Sequence, residues 1–307
     1  MIIVRIHMGI GNQMFQYAFA RAASIRNKTG FKLDLTWFDK PRHREYGLNR
    51  FNIEEHVATQ AEIDHLLYRD RGPAGRRLRL LGQKLRPYYR RNFVRENLSR
   101  FDPNLRRVGP RAYVWGYFSS EEYFRDAAAV IRRDLTVKGR PSPANEAMIA
   151  RMEAGESVCL SVRRGDFAAN PLYDLCKPDY FLRAADRMAE RVPRAHFFVF
   201  CDDNAWVQAH LKLRHPHTFV THNYPDFYED LRLMTHARHH IIPNSTFSWW
   251  GAWLADDPKK IVMAPERWLN LAALRDPQYA DLVEQWCPSG TMDCAHVYPE
   301  GWERVQN

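Results

Sequence analysis

The amino-acid sequence predicts an α/β protein, in which the strands of a parallel sheet alternate with helices that cover both faces. Two observations predict this class: short apolar, β-rich runs are separated by longer runs with a helical apolar period, and this alternation occurs twice along the chain. At 45% hydrophobic residues the 307-residue chain can bury a large core, which excludes global disorder. Its length predicts one large or two medium domains.

The first series opens with a β-rich run at residues 2–6, a glycine-containing turn and a helix over about residues 12–28. Two more strands and a helix follow at residues 32–35, 112–117 and 121–135. The segment 138–145 carries two prolines and a glycine and is the best linker. We therefore predict an N-terminal domain over 1–140 and a C-terminal domain over 146–307.

The second series lies after this linker and repeats the alternation. Its predicted strands are residues 157–162, 196–201, 240–243 and 261–264. Its predicted helices are residues 178–191, 226–235 and 245–254.

The positive charge of the chain is concentrated in one segment. The formal net charge is +9, and residues 69–107 hold 13 Lys and Arg against 3 Asp and Glu. The rest of the chain is therefore almost neutral, which disfavours a uniformly basic nucleic-acid coat. A stripe of Leu78, Leu81, Leu85 and Tyr88 recurs at helical spacing within the segment, and Pro87 ends or kinks that helix.

Other classes of protein are disfavoured by simple patterns. No run approaches the roughly 18 apolar residues of a membrane span, and residues 1–6 lack the pattern of a signal peptide. Five cysteines without a C-x-x-C pair favour reduced thiols in a cytoplasmic protein. The histidines near residue 239 lack a Cys or carboxylate at a metal-ligand spacing, so we predict no metal site.

Polar residues after predicted strands are the candidate site, because ligands bind at the carboxyl ends of parallel strands. The first cluster contains Gly9, Gly11, Asn12 and Gln13, between a strand and a helix. Glycines allow close approach of a ligand, and the helix N-terminus offers N–H groups to an anion. The alternative is an ordinary tight turn, since neither a complete dinucleotide fingerprint nor a Walker sequence is present.

The second cluster contains Arg163, Arg164 and Asp166. Side chains alternate in an extended segment, so the two arginines are expected on opposite sides. Arg164 and Asp166 then share a side and are predicted to pair. Arg163 is left to bind a phosphate through its planar fork of donors. The alternative is a surface ion-pair cluster.

Two further clusters follow later strands. Asp202 and Asp203 either contribute to the site or cap the next helix. Because the chain contains no Asp-x-Asp tripeptide, a metal-bridged diphosphate is disfavoured. The last cluster opens a helix with hydroxyl and amide groups that suit an anion, namely Asn244, Ser245, Thr246 and Ser248. The nearby tryptophans 249, 250 and 253 are expected in the core, and Gly251 is expected at a close helix contact.

Taken together, six segments resemble the family 11 glycosyltransferases, the bacterial α-1,2-fucosyltransferases. The matching segments are GIGNQMFQYAFARA at 9–22, GYFSSEEYF at 116–124, VRRGDF at 162–167, FFVFCDD at 197–203, YEDLRLM at 228–234 and NSTFSWWGAWL at 244–254. They occur in the order of that family and span most of the chain.

The resemblance implies a GT-B fold of two facing Rossmann-like domains, with GDP-fucose bound by the C-terminal domain and the acceptor by the N-terminal one. It implies inverting transfer of L-fucose from GDP-β-L-fucose to the 2-hydroxyl of a terminal galactose, with no metal or other cofactor. Arg163 falls on the first arginine of the family's H-x-R-R-x-D element, which is associated with the donor diphosphate. Asp230 falls on the Asp of the E-D-L stretch, where a carboxylate suits guanine N1–H and N2 amino groups.

The sequence departs from that pattern in three places: Ser161 replaces histidine, Phe167 replaces tyrosine and Cys201 replaces serine. The first change removes a ring from the nucleotide site. The base that takes the acceptor proton is not identified by the motifs, and Asp166 is one candidate beside Asp174 and several histidines.

Several alternatives stay open at the level of the sequence. The chain could use another nucleotide sugar, or NADP through Arg163 and Arg164. The segment 69–107 could drive binding to nucleic acid or to another anionic surface. We expect no nucleic-acid partner, and we expect a cytoplasmic enzyme with or without peripheral contact with the inner face of an anionic membrane. The competing interpretation of 69–107 is a solvated helix that packs its leucines on the acceptor domain.

Overall fold

The computed structural model describes residues 1–40, 44–98, 100–286 and 292–307 and divides into two α/β units. The first unit comprises Met1–Thr136 and Gln285–Val297, and the second comprises Val137–Glu284 and Tyr298–Asn307. The chain thus changes unit beside the linker proposed from the sequence. It differs from the proposed domain 146–307 in that Gln285–Val297 groups with the first unit.

The first unit contains a four-stranded parallel sheet in the order β2-β1-β4-β3. Its strands are β1 (Ile2–Arg5), β2 (Phe31–Asp34), β3 (Phe93–Arg95) and β4 (Ala112–Trp115). Its helices are α1 (Ile10–Asn27), α2 (Gln60–Leu66), α3 (Pro73–Lys84) and α4 (Ala128–Asp134). The apolar run of β1 is fully buried from Ile2 to Val4, as a central parallel strand covered on both faces requires.

Helix α1 is the centre of the first unit. Phe15, Tyr17 and Phe19 are completely buried, so the helix is apolar on more than one face. The Tyr17 hydroxyl donates to Asp134 Oδ2 (2.8 Å), and Arg21 pairs with the same carboxylate (2.9 Å). These bonds attach the end of α4 to α1.

Three details of this unit differ from the sequence prediction. Strand β3 was not predicted, since only three residues form it. The predicted helix at 121–135 is α-helical only over α4, and the residues before it form two short 3₁₀ turns. Leu78, Leu81 and Leu85 do not pack on the unit: their exposed fractions are 71%, 51% and 90%.

The second unit contains a six-stranded parallel sheet in the order β10-β9-β8-β5-β6-β7. Its strands are β5 (Glu156–Val162), β6 (Ala195–Cys201), β7 (His217–Val220), β8 (His239–Ile241), β9 (Val262–Pro265) and β10 (Glu303–Val305). Its helices are α5 (Pro143–Glu153), α6 (Pro178–Arg191), α7 (Asn204–His210), α8 (Phe227–Met234) and α9 (Thr246–Leu254), and α10 (Ala280–Trp286) crosses the boundary between the units. The predicted α/β class with two parallel sheets is confirmed.

Side chains of β5 alternate between two cores. Val158, Leu160 and Val162 pack with residues of α6 and α7, whereas Cys159 packs with Met234 and other residues on the opposite face. This two-sided burial accounts for the consecutive apolar residues 158–160 in the middle of the strand.

Helix α9 lies in the core, as its sequence predicted. Trp249 and Trp250 are fully buried, and Trp253 is almost so. A Cβ atom added to Gly251 would lie 3.0 Å from both Cβ and Sδ of Met234 in α8. Glycine therefore allows α8 and α9 to pack closely.

In the part of the chain that the structure describes, no helix is long and apolar enough to cross a membrane, and no group of three or more His, Cys, Asp or Glu side chains could hold a metal ion. The four described cysteines are free thiols. Cys287 lies outside the described residues.

Candidate active site

The candidate site of the second unit lies where two neighbouring strands end. The register of the sheet pairs Val162 of β5 with Cys201 of β6, the last residues of both strands. The segments that follow them, beginning at Arg163 and Asp202, are consequently adjacent. This places two of the predicted clusters together.

Arg163 is held by two carboxylates. Its Nη2 donates to Asp166 Oδ1 (2.7 Å), and its Nη1 lies 2.8 Å from Asp202 Oδ2. The sequence prediction that Asp166 pairs with Arg164 is therefore wrong. Residues 165–167 form a 3₁₀ turn, which brings Asp166 back to the side chain three residues before it.

Arg164 makes different contacts. Its guanidinium carbon lies 4.0 Å from the centre of the Trp206 ring in α7, a cation–π contact. Its backbone N–H donates to Asp202 Oδ1 (2.8 Å). Asp202 thus bonds to both arginines, one through the side chain and one through the backbone. The Trp206 contact was not predicted from the sequence, which has no short-range signal for it.

Gly165 is required by the approach of Asp202. A Cβ at this position would lie 2.5 Å from Asp202 Oδ2 and 3.8 Å from Cζ of Arg163. Any side chain would displace the carboxylate that holds the arginine. Asp203 has a separate, structural role, since its side chain accepts the Trp206 N–H (3.0 Å) and caps α7.

The start of α9 lies beside the end of β5. Ser161 and Ser248 share a hydrogen bond with an Oγ–Oγ distance of 2.7 Å. The Ser161 hydroxyl therefore contacts the first turn of α9 from the position where the resembling family has histidine. The Ser245 side chain makes no capping bond to α9, so the first-turn N–H groups near Thr246 are not satisfied by it.

Asn244 is a structural residue in this arrangement. Its Nδ2 donates to the carbonyl oxygens of Tyr173 and Trp268, both at 3.0 Å. The side chain is buried and fixes the loop around residue 173 to the segment after β9. Both N–H donors of its amide are therefore bonded to backbone carbonyls rather than to a ligand.

Asp230 lies in α8, on the face of the sheet that also carries Cys159 and Ser161. Burial raises the pKa of its carboxyl from the usual 3.8 to about 6, and Asp226 and Glu229 add to that effect. Asn223 Nδ2 donates to Oδ1 (2.9 Å) and acts in the opposite direction. This half-buried carboxyl therefore changes its charge near neutral pH.

The glycine turn of the first unit is stabilised mainly by Gln13. The side chain is fully buried; its Nε2 donates to the carbonyl oxygens of Met8 and Glu45, and its Oε1 accepts the Gly47 N–H. The expectation that Gln13 is free to bind a ligand is therefore wrong, because all three bonds hold the backbone. Gly9 caps α1, and Asn12 follows in its first turn, with its N–H bonded to the Gly9 carbonyl (2.9 Å).

The same edge of the first sheet carries residues that the motifs did not identify. Arg5 and Arg95 each place the guanidinium carbon 4.8 Å from the centre of the Trp115 ring. His7 lies edge-on to Tyr117, with 5.0 Å between ring centres. Burial lowers the pKa of His7 to about 4, and the Arg5 charge adds to that effect, so His7 is neutral at pH 7. Arg5 ends β1 and His7 follows that strand closely, which was the signal available in the sequence. Arg95 ends β3, a strand that the sequence does not predict, so it had no such signal.

A buried acid, Glu96, orders the turn after β4. Its Oε2 accepts the N–H groups of Tyr117 (2.7 Å) and Phe118 (2.8 Å), and Phe118 has a left-handed φ of 53°. A Cβ on Gly116 would lie 2.6 Å from Glu96 Cβ, so only glycine fits. This explains the first residues of the GYFSSEEYF segment as structural.

The chain is similar to proteins of a known family. Residues 88–287, more than half of the chain, match the family described as Glycosyl transferase family 11. The chain belongs to this family. It is a glycosyltransferase, and the resemblance inferred from the six segments is confirmed.

Two curated relatives from Escherichia coli are similar over most of the chain. An α-1,2-colitosyltransferase is 28% identical over 300 residues, which are 93% of this chain and 97% of the relative. The O-antigen biosynthesis glycosyltransferase WbnK is 28% identical over 287 residues, with 85% and 92% of the two chains covered.

Two solved structures are more distant. An Arabidopsis thaliana FUT1 mutant in complex with GDP has a TM-score of 0.49 at 12% identity, covering 87% of this chain and 71% of its own. NodZ α-1,6-fucosyltransferase soaked with GDP-fucose has a TM-score of 0.47 at 14% identity, covering 85% and 94%.

Proposed function

We propose that this family 11 glycosyltransferase transfers L-fucose from GDP-β-L-fucose to the 2-hydroxyl of a terminal galactose, with inversion and without a metal ion. The observation that carries the proposal is the position of Arg163. Two carboxylates fix it at the end of β5, and the hydrogen bond between Ser161 and Ser248 links the same strand to the start of α9. We assign that edge, at the carboxyl ends of parallel strands, as the site of the donor diphosphate.

The leaving group determines what the site must do. Departure of GDP places negative charge on the β-phosphate, and fixed donors must stabilise it. Arg163 has five N–H donors, and the two carboxylates engage one Nη atom each, so donors remain for a phosphate oxygen. The first-turn N–H groups of α9, with Thr246 and Ser248, supply further donors. Since the chain lacks an Asp-x-Asp tripeptide, the proposal assigns the whole of this role to protein groups.

Acceptor activation needs a base on the face of the sugar opposite the leaving phosphate, because inversion requires in-line attack on the anomeric carbon. Asp166 is exposed, and its ion pair with Arg163 fixes it close to the proposed donor site. We assign it as the group that removes the proton of the galactose 2-hydroxyl, which requires the anomeric carbon to lie between Asp166 and the β-phosphate. If Asp166 is not the base, the assignment of Arg163 to the donor diphosphate still stands.

Recognition of the nucleotide is assigned to Asp230. An ionised carboxylate accepts from both N1–H and the N2 amino group of guanine, and no other common base offers that pair of donors. Burial makes such charged hydrogen bonds stronger than they would be in water. GDP should therefore protect the protein from thermal unfolding, whereas ADP, UDP and NADP⁺ should not.

A colitose donor is the second candidate, because a relative at 28% identity over nearly the full chain is named as an α-1,2-colitosyltransferase. Colitose is L-fucose without the 3-hydroxyl group. Both candidates share the guanine and diphosphate contacts and differ only at one sugar oxygen. Discrimination thus depends on whether the site forms a hydrogen bond with that hydroxyl.

The deciding experiment is incubation with lactose and, in parallel, GDP-L-fucose, GDP-colitose or UDP-galactose, with and without EDTA, followed by linkage analysis of the product. The proposal expects an α-1,2-linked fucosyl product that forms equally well with EDTA. Preferred transfer from GDP-colitose would select the second candidate. Transfer from UDP-galactose alone, or loss of activity with EDTA, would contradict the proposal.

A further inference from the structure

Helix α3 displays an apolar surface that the described residues of the chain leave uncovered. From residue 71 to residue 88 only Gln83 is buried, and Leu78, Leu81 and Leu85 are 71%, 51% and 90% exposed. At 3.6 residues per turn these three leucines fall within about 60° of one another on one side of the helix. We call these three residues the leucine face.

The orientation of the helix is fixed by Gln83, which lies on the side opposite the leucine face. Gln83 Nε2 donates to the Tyr68 hydroxyl (3.1 Å), and its Oε1 accepts the Asn92 N–H (2.9 Å). Asn92 in turn donates to the Leu66 carbonyl (3.2 Å). The polar side of α3 is therefore bonded to its own unit, and the leucine face points away from it.

Basic residues border the leucine face on both sides. On a helical projection Arg77 and Lys84 lie along one border and Arg79 along the other, and Arg86 follows the C-cap Leu85. All four are exposed, and residues 71–95 contain nine Lys and Arg but no Asp or Glu. An apolar face with long basic side chains on either side is the arrangement that lies in the plane of an anionic bilayer, with leucines among the acyl chains and cations at the headgroups.

We propose that α3 binds the enzyme to the surface of a bilayer that contains anionic phospholipid. Charge complementarity selects this occupant over a second copy of the chain, because a symmetric contact through the leucine face would bring two basic borders together. The leucine face also selects lipid over nucleic acid, since phosphates alone would leave three exposed leucines without a role. This contact holds the enzyme at the membrane surface through α3.

The test is flotation of the full-length protein with vesicles of phosphatidylcholine, with or without phosphatidylglycerol. The wild type should bind the mixed vesicles and not the neutral ones, and added salt should weaken binding. A charge variant, Arg77→Gln/Arg79→Gln/Lys84→Gln, should bind roughly 100-fold more weakly, since each basic residue at the surface contributes about fivefold. The matched control, Arg140→Gln/Arg214→Gln/Lys259→Gln, removes three exposed charges elsewhere and should bind like the wild type.

A leucine variant separates lipid from other anions. Leu78→Gln/Leu81→Gln/Leu85→Gln keeps all charges and good helix formers, so it should keep the wild-type circular dichroism spectrum and thermal midpoint. It should lose at least tenfold in vesicle binding. Its binding to a DNA duplex should equal that of the wild type, whatever that value is.

Three results would overturn the proposal: no binding of the wild type to the mixed vesicles, equal binding of the leucine variant, or a dimeric wild type that the leucine variant converts to a monomer. None of these readouts uses the sugar donor. The fate of this proposal is therefore distinguishable from that of the proposed transfer reaction.

Discussion

At the scale of single residues, the two adjacent arginines after β5 are separated by their partners. Arg163 bridges Asp166 and Asp202, while Arg164 lies on the Trp206 ring. Arg163→Ala removes a phosphate donor and leaves two carboxylates to repel the diphosphate, so we expect kcat to fall by at least about 10²-fold. Arg164→Ala should instead lower the free energy of unfolding by about 0.5–2 kcal/mol.

Paired measurements of kcat and urea unfolding on both variants test this division. Arg163→Lys is the control for charge, and it should recover only part of the activity because an ammonium cannot bridge two carboxylates as a planar fork does. Equal losses of kcat in Arg163→Ala and Arg164→Ala, at equal stability, would contradict the assignment.

The proposed contact of Asp230 with guanine should make donor binding sensitive to pH. With its pKa raised to about 6 by burial, the carboxyl is mostly ionised at pH 7 and mostly protonated at pH 5. Only the ionised form accepts both guanine donors, so the Kd for GDP should rise about tenfold between pH 7 and pH 5. Isothermal titration at several pH values measures this.

Asp230→Asn is the matched variant for that experiment. It should bind GDP weakly and with no step near pH 6, and it should discriminate less between GDP and IDP, which lacks the 2-amino group. A step near pH 6 that persists in Asp230→Asn would place the titrating group elsewhere.

Residue pairings were the part of the site that the sequence predicted least well. Strand alternation was applied to Arg163–Asp166, but the chain leaves extended geometry at residue 165, where a 3₁₀ turn brings Asp166 to the other arginine. Gln13 and Asn244 follow strands, so the sequence favours them as ligand contacts, but in the structure both amides bond to the backbone. The partner of an amide side chain depends on distances in the folded structure, and the sequence alone does not give them.

At the scale of elements, a close contact joins α8, which carries the proposed guanine residue, to α9, which carries the proposed diphosphate donors. Gly251 of α9 faces Met234 of α8, with room for no further atom. Gly251→Val should cost about 1–3 kcal/mol of unfolding free energy, since overpacking there displaces a helix that carries a ligand group. Chemical denaturation measures that cost.

Met234→Ala provides the second half of a double-mutant cycle. Removing the methionine creates space, so the double variant should be less destabilised than the sum of the two single variants by about 0.5–3 kcal/mol. Strict additivity would show that a clash with Met234 is not what destabilises the Gly251→Val variant.

Helix and strand prediction succeeded where the apolar period was long. Helix α1 has 18 residues and strands β5 and β6 have seven each, and all three lie where their patterns predicted. Strand β3 has only three residues, too few to show a pattern. Helix α3 has an apolar side that lies in solvent, whereas such predictions assume that the apolar side of a helix is buried. The amphipathic pattern of α3 was recognised, but what it faces was not.

At the scale of the whole molecule, stability should depend on Glu96. Burial raises the pKa of this carboxyl from 4.5 to about 7. Below pH 4.5 it is neutral in both the folded and the unfolded state, and its contribution to stability is complete. As the pH rises from 4.5 through 7, the unfolded state ionises first, so the free energy of unfolding should fall by roughly 3 kcal/mol, at about 1.4 kcal/mol per pKa unit.

Thermal midpoints measured between pH 4.5 and pH 8 test this for the wild type and for Glu96→Gln. The amide oxygen of glutamine can still accept the N–H groups of Tyr117 and Phe118, and it carries no charge. The variant should lack this component of the decline and be the more stable protein at pH 8. If the thermal midpoints of both proteins fall in parallel as the pH rises, Glu96 is not the source of the decline.

The path of the chain between the units has a consequence for dissecting the protein. Because Gln285–Val297 belongs to the first unit and Tyr298–Asn307 returns to the second, the backbone passes between the units three times. A fragment that ends at the linker therefore lacks part of the first unit, including the buried Val297. The complementary fragment carries Gln285–Val297, which group with the first unit. Cleavage at residues 138–145 should yield a nicked enzyme whose two pieces stay together until they are denatured, and neither piece made alone should fold to its native structure.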